Sequence, residues 1–512
     1  MKHLFFYFFL FLTFFGFSQE KKIHILNSEQ TYKNVIKYPG AIVLNGKVKV
    51  SHEGIILDCD KALYYQKTNL IHAYGNVVIN QGDTIRQTSA YTNYNGNTKK
   101  AVSWGDVVLT DPSMIIKTDT LHFDREKQEM FYNCYATITD ANNNLKSKNG
   151  RYYSTIKKFK ATTNVVVSNP DNKLESNNLD YFTETGQAYF YGPSTITTKE
   201  SVAYGERGFY DTNAGISTLI KNSKVNYNNR IIEGDSIYSD KERGFASSSG
   251  NTIITDTINK STIKGGYAEF YQFKDSVLVL KKPVAITLVE KDSMYIHGDT
   301  LLITGKPEER IVRAFHHVKF FKPDMSGKCD SLHSNQKIGL TKLFKSPVIW
   351  SGENQITGDS IHLLSNTETK KMDSIFIKKN AFIIQKDSAG YSQIKGKNMY
   401  GKFIDNKLKT LLAKGNGEVI NYARNEEKVL IAIMKMSCSN ILFNLNENTV
   451  DDIKFLKMPD GKTYPPSQFP PKEEKLEGFI WRESEKPLTK DDIFIHDEIT
   501  KPKPKESIFS KD

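Results

Sequence analysis

After residue 18 the chain has no apolar run approaching eighteen residues, so nothing later in it reads as a membrane-spanning helix. Helical signals are also missing: from Ile23 to about Tyr422 no window sustains apolar residues at i, i+3, i+4 and i+7 with caps at its ends. Cysteine is scarce, with Cys59, Cys134, Cys329 and Cys438 the only four in 512 residues. An exported chain meets a compartment where disulfides form. Cys59, Cys329 and Cys438, however, hold similar slots several repeats apart. Each repeat advances the stack by at least one strand spacing of about 4.8 Å, which puts these pairs beyond the Cα reach of about 7 Å. No disulfide is expected among them.

The motifs of catalysis are missing as well. There is no Gly-x-Ser-x-Gly elbow, no Ser-x-x-Lys in a helical setting and no cysteine with a partnered histidine. Gly415-Asn416-Gly417 lacks the Lys-Ser/Thr and helix of a phosphate loop and reads as a turn. His122, His333 and His362 belong to different repeats, and the adjacent His316 and His317 would face opposite ways in a strand. Neither set converges on one ion, so no metal, cofactor or catalytic residue is expected.

What is present is a phrase recurring about every thirty residues: a small residue, Asp or Asn, Ser or Thr, then Ile or Leu. Clear copies are Lys117-Thr118-Asp119-Thr120-Leu121, Gly234-Asp235-Ser236-Ile237, Gly298-Asp299-Thr300-Leu301, Lys328-Cys329-Asp330-Ser331-Leu332 and Gly358-Asp359-Ser360-Ile361. Between copies runs a second phrase, as in Gly75-Asn76-Val77-Val78-Ile79, Gly105-Asp106-Val107-Val108-Leu109 and Gly250-Asn251-Thr252-Ile253-Ile254. Each unit is thus at least two strands, and such a period means stacked copies of one supersecondary element. The recurrent aspartates lack the spacing of calcium-binding β-helices and read as turn chemistry. With 38% hydrophobic residues, 30 Phe, 26 Tyr and a mean hydropathy of −0.48, most strands carry one polar face. The fold class is all-β. The formal charge of +12 comes from scattered lysines and reads first as a solvated face.

The ends differ from the array. Residues 1–18 read as a signal peptide: Lys2, an apolar stretch from Leu4 to Phe17, and a small-x-small site at Gly16-Phe17-Ser18. Residues 456–512 form a Pro/Lys/Glu-rich tail, including Pro465-Pro466 and Lys501-Pro502-Lys503-Pro504-Lys505, whose composition predicts a largely disordered segment. Phe479-Ile480-Trp481 is an apolar island in it, expected to dock on the last strands.

The alternation Asp60-Lys61-Ala62-Leu63-Tyr64-Tyr65, then Ala73-Tyr74-Gly75-Asn76-Val77, resembles the OstA/LptA family of lipopolysaccharide-transport proteins over about residues 30 to 430. The resemblance implies an antiparallel β-jelly-roll folded as a V-shaped trough over residues 19–455, comprising two or more fused family units. It implies a periplasmic protein, associated with the outer membrane, that carries lipopolysaccharide or a related lipid in outer-membrane assembly. The implied partners are other lipopolysaccharide-transport proteins, met through edge-strand pairing, and the outer-membrane translocon; nucleic acid is not among them. The chain is over twice as long as the simplest bridge protein of that family and lacks the translocon's barrel.

Period-two alternation supplies candidate lipid-contact residues: Val77 and Ile79, Val107 and Leu109, Leu121 and Phe123, Ile237, Leu301 and Ile303, and Ile361 and Leu363. Stacked over repeats they form an apolar strip on which a lipid chain gains about 0.8 kcal/mol per buried CH₂. The same residues meeting one another in a closed dry core would instead suit a structural or adhesin-like repeat protein of the cell envelope. Ile23 to Val50 and the strands near Ile441 to Leu445 are the expected docking edges.

Overall fold

The structure is a computed structural model that describes residues 22–496 apart from positions 290, 307, 308, 426, 447 and 448. The expected signal peptide lies outside the described residues. Among those residues there are thirty-six strands and no α-helix, and every strand pairing described is antiparallel. The chain divides into two compact units, residues 1–199 with 206–213 and residues 200–205 with 214–512. In the first unit, successive strands such as Ile42–His52, Ile55–Tyr65, Leu70–Gln81, Ile85–Asn95, Lys100–Thr110 and Ile115–Asp124 pair in chain order. Alternating burial along each strand keeps one face in and one out.

The two recurring phrases are the two halves of a bend. On alternate strands a pair of consecutive residues commonly takes left-handed backbone, as at Gly75-Asn76 (φ 76° and 42°), Gly105-Asp106 (79° and 50°), Gly250-Asn251 (70° and 46°) and His316-His317 (59° and 49°). The ladder slips at these pairs, as between Tyr74 and Val77 or Trp104 and Val107. Such bulges bend and twist the strand, and Gly and Asn adopt this conformation at least cost.

The neighbouring strand crosses the bend with a small residue. Where it is Ser or Cys, the side chain donates to the carbonyl two residues on: Ser147 to Asn149 (3.0 Å), Ser176 to Asn178 (3.2 Å), Cys59 to Lys61 (3.2 Å) and Cys329 to Ser331 (3.3 Å). Where it is Gly, there is no room for more, since a Cβ on Gly358 would sit 2.5 Å from Ile377 Cγ2. The aspartate that follows ties the bend from outside. Asn76 Nδ2 donates to Asp60 (2.9 Å), Asn251 to Asp235 (3.1 Å) and Asn380 to Asp359 (2.9 Å). The recurrent Asp therefore secures a strand corner, not the hairpin turn the sequence suggests.

These bends fold the sheet of each unit lengthwise into two limbs with the apolar face inside. This is the antiparallel trough expected from the resemblance. In the second unit one inner row runs Leu219, Ile237, Ser248, Ala268, Val279, Leu301, Ala314, Leu332, Leu343, Ile361, Ile377, Met399, Ala413 and Ile441, each at most 3% exposed.

The tail is described as far as His496. Strand Asp460–Tyr464 pairs with Leu430–Asn446, and residues 465–496 lie across the outward face of the second unit's sheet. Two glutamines, Gln355 and Gln393, both 0% exposed, explain why a Pro-rich segment settles there. Gln355 donates Nε2 to Ile480 O (2.7 Å) and accepts from Arg482 N (2.7 Å). Gln393 does the same with Glu474 O (2.7 Å) and Leu476 N (2.8 Å). Each side chain completes hydrogen bonds that a further strand would have made. Phe469, Leu476 and Ile493 are buried, and Phe479 and Trp481 pack on Tyr391 as the expected docking requires.

The edges differ in part from expectation. Strands His24–Asn27 and Gln30–Tyr32 are exposed throughout and pair with Ile42–His52, forming the first edge. Ile441 to Leu445 lie one strand inside the other, because Val450 to Phe455 pair with them and the edge strand there is Thr449–Leu456.

Candidate functional site

In the first unit two inner rows face each other across the fold. One passes through Leu57, Ile79, Gln87, Leu109, Ile116, Ile138, Leu145, Val167, Leu174 and Ile196. The other passes through Tyr64, Ile71, Tyr94, Ala101, Phe123, Met130, Tyr152, Phe159, Tyr181 and Ala188. Toward Ala188 the rows close on each other: Leu145, Tyr152, Phe159, Val167, Leu174 and Tyr181 are all at most 1% exposed.

Toward the N-terminal end they stand apart. Between them lies a slot of about 850 Å³ of atom-free space, counted with the solvent at its mouth. Its walls are Val50, Ile55, Leu57, Ile79 and Leu109 on one limb and Tyr94, Ala101, Phe123 and Met130 on the other, with Ile23 at the end. Ile23 is held there by its N–H donating to Asn69 Oδ1 at 3.0 Å.

The slot is not uniformly apolar. His52, Gln81, Gln87, Gln128 and Ser154 also line it. Gln87 Nε2 donates to Ser103 Oγ (2.5 Å), and Ser103 meets Thr92 Oγ1 (2.8 Å), so a buried polar cross-stripe interrupts the strip. Along the free edges of the limbs, polar ties cross from one to the other. His52 Nδ1 lies 2.6 Å from Tyr94 Oη, and Arg125 Nη2 donates to Glu53 O at 2.6 Å with Lys99 3.2 Å from the Glu53 carboxylate. Further along, Tyr181 donates to Asp140, and Asn142 Nδ2 to Asn213 Oδ1 (3.1 Å). Burial pushes the Tyr94 hydroxyl up to about 12, so it keeps its proton at neutral pH.

The residues chosen by alternation fall in two places. Ile79, Leu109 and Phe123 line the slot. Val77, Val107, Leu121, Ile237, Leu301, Ile303, Ile361 and Leu363 are buried in the core, none more than 9% exposed. Val77, Ile79, Val107 and Leu109 lie on one side of the bend and Leu121 and Phe123 on the other, so the single face read from the sequence becomes two opposed walls. Sequence reasoning missed Ile55, Ile85 and Met130 at the mouth, because they sit next to hairpin turns where alternation has barely begun. The outward histidines pack on aromatics: His122 stacks on Phe131 (centroids 4.4 Å apart) and His362 lies 6.0 Å from Phe376.

The family model of OstA-like proteins matches residues 20–177, the stretch that contains every residue lining the slot. Residues 20–177 are thus similar to OstA-like proteins. A search of solved structures finds similarity to LptH of Pseudomonas aeruginosa, titled the LptA-homologous periplasmic component of the lipopolysaccharide transport device. Identity is 16%, covering 27% of this chain and 81% of that one, with a TM-score of 0.15. Among curated proteins none matches.

Proposed function

We propose that this OstA-like protein is a periplasmic carrier that takes lipopolysaccharide or a related lipid toward the outer membrane without chemical change, its acyl chains held between the limbs. The observation that carries the reading is the apolar slot, which lies wholly inside the OstA-like region and opens between two limb edges. A saturated chain entering it exchanges water for Ile79, Leu109, Phe123 and Met130 at about 0.8 kcal/mol per methylene. Sliding onward requires the limbs to part along the buried rows, with acyl chain replacing wall-to-wall contact. The exposed strands His24–Asn27 and Gln30–Tyr32 suit edge-to-edge pairing with a neighbouring transport protein, and the outer-membrane translocon is the destination.

Photo-reactive side chains at Ile79, Leu109 and Phe123 test this in cells. They are expected to crosslink lipopolysaccharide, whereas the outward position Tyr189 is not. Absence of crosslinks from all three inward positions, in protein shown to be folded, refutes the carrier. The closed core around Leu301 and Ile361 favours a second reading, an envelope structural repeat protein. Cleavage by protease added to intact cells supports that reading, and protection supports the carrier.

A further inference from the structure

The strand corners differ in chemistry. At Asp60, Asp235 and Asp359 the phrase's aspartate is tied by asparagine, and at Asp330 Lys345 Nζ lies 3.1 Å from it. At Asp299 the partner is His317, whose Nδ1 lies 2.8 Å from Asp299 Oδ2. An ionised carboxylate only accepts, so the imidazole donates. The residue before the small position is also histidine here, where the equivalent places hold Asp58, Glu233 and Thr357. This His297 is 3% exposed, and its Nδ1 lies 2.6 Å from Pro283 O. A carbonyl cannot donate, so the proton sits on Nδ1 and Nε2 keeps its lone pair.

The described part of the tail reaches this same corner. Lys319 Nζ holds Ile495 O at 2.6 Å, Phe494 packs on the His297 ring (4.8 Å between centroids), and the His496 ring lies 4.8 Å from that of His317. One ligand atom each from His297, Asp299 and His496 lie within 4.8 Å of one another. Ligand atoms around a tetrahedral ion with bonds of about 2.0–2.1 Å stand about 3.3 Å apart.

We infer that His297, Asp299 and His496 bind one divalent transition-metal ion of the zinc class, and that His317 holds the carboxylate in place as its outer partner. The donors are two imidazoles and a carboxylate without thiolate, a set that suits zinc and its neighbours and leaves one coordination position for water. A backbone carbonyl fixing one ligand's tautomer and an imidazole orienting another are the supports such sites use. The ion clasps the end of the tail to the sheet corner, about 200 residues away in the chain.

The test uses tag-free full-length protein, stripped with chelator and titrated calorimetrically with Zn²⁺. One ion per chain is expected. His496→Ala, a change at the end of the strap that leaves the sheet untouched, is expected to abolish one-to-one binding. His317→Ala is expected to weaken it about 10–100-fold, and His362→Ala to leave it unchanged. Bound zinc is expected to slow tryptic cleavage at Lys486 and Lys490 in the wild type and not in His496→Ala. Failure of the wild type to bind one equivalent, or equal binding and equal protection in His496→Ala, overturns the inference.

Discussion

Asp256 and Arg310 close the fold of the second unit, and breaking that pair measures what the ties between limbs are worth. Both side chains are 6% exposed, and Arg310 Nη1 donates to the carboxylate. Asp256 also accepts from the backbone of Ile258 (3.0 Å) and Asn259 (2.9 Å). Arg310 is less well served, since its Nε and Nη2 have no partner among the described residues. Arg230 adds a second cation close by, held below its ordinary value by burial and by Arg310. Asp256→Ala therefore strands the buried Arg310 guanidinium with a second cation nearby and is expected to cost about 3–5 kcal/mol. Arg310→Met leaves the carboxylate its backbone donors and costs less. The double change Asp256→Asn with Arg310→Met recovers most of the loss, because a buried pair replaced together carries no uncompensated charge.

The assay is urea unfolding of the four proteins with hydrogen exchange resolved by peptide, since repeat arrays open locally. The pH dependence has a definite sign. Although burial opposes it, the hydrogen bonds from Asn259 and Arg310 hold the Asp256 carboxyl down at about 2. A depressed carboxylate stabilises the fold above its unfolded value of about 3.9, and that contribution is lost as pH falls toward 2. The drop from 3.8 to about 2 corresponds to about 1–2 kcal/mol once solvent screening is allowed for. Single variants within about 0.5 kcal/mol of wild type, or a wild-type loss between pH 4 and 2 no larger than that of Asp256→Ala, would refute the reasoning.

Two further outcomes follow from the bend and the strap. Gly358→Ala drives a Cβ to 2.5 Å from Ile377 Cγ2 and is expected to lower the urea midpoint by a destabilisation of about 1–3 kcal/mol; no change in this variant would show that the bend has slack. Gln393→Leu removes both bonds to Glu474 and Leu476 while keeping the apolar bulk, so trypsin should cut at Lys472 and Lys475 faster while the sheet's circular dichroism stays unchanged.

The strands, the period and the inward residues were legible because alternation and burial are local properties: Val107, Leu121, Leu301 and Ile361 point where period two puts them. The phrases were legible as repeats but not as a bend. Nothing in Gly75-Asn76 alone distinguishes a hairpin turn from a left-handed pair inside a continuous strand; only the pairing on both sides, Tyr74 with Tyr91 and Val77 with Ser89, separates them. The order of the tail was hidden by its composition. Its signal lay elsewhere, in unbroken apolar runs such as Val348-Ile349-Trp350, all buried, which mark strands covered on both faces. The polar stripe of Gln87, Thr92 and Ser103 broke the alternation in plain sight, and the histidine corner was missed because its groups lie far apart in the chain.

The bend also decides what kind of passage the interior can offer. A sheet folded at left-handed pairs has a rigid spine, since Asp60 with Asn76 and Asp235 with Asn251 lock it from outside. The free edges meet only through separate polar ties, Glu53 with Arg125 and Asp140 with Tyr181 among them. Parting the limbs therefore costs a few hydrogen bonds, each net about 0.5–1.5 kcal/mol and replaceable by water, together with apolar contact between the walls. An acyl chain that enters as the walls separate restores that contact methylene for methylene. The net cost of advance then falls on the ties alone, and these recur at intervals along the edge. On the proposed carrier reading, a lipid in such a groove would meet a series of small barriers instead of one deep trap.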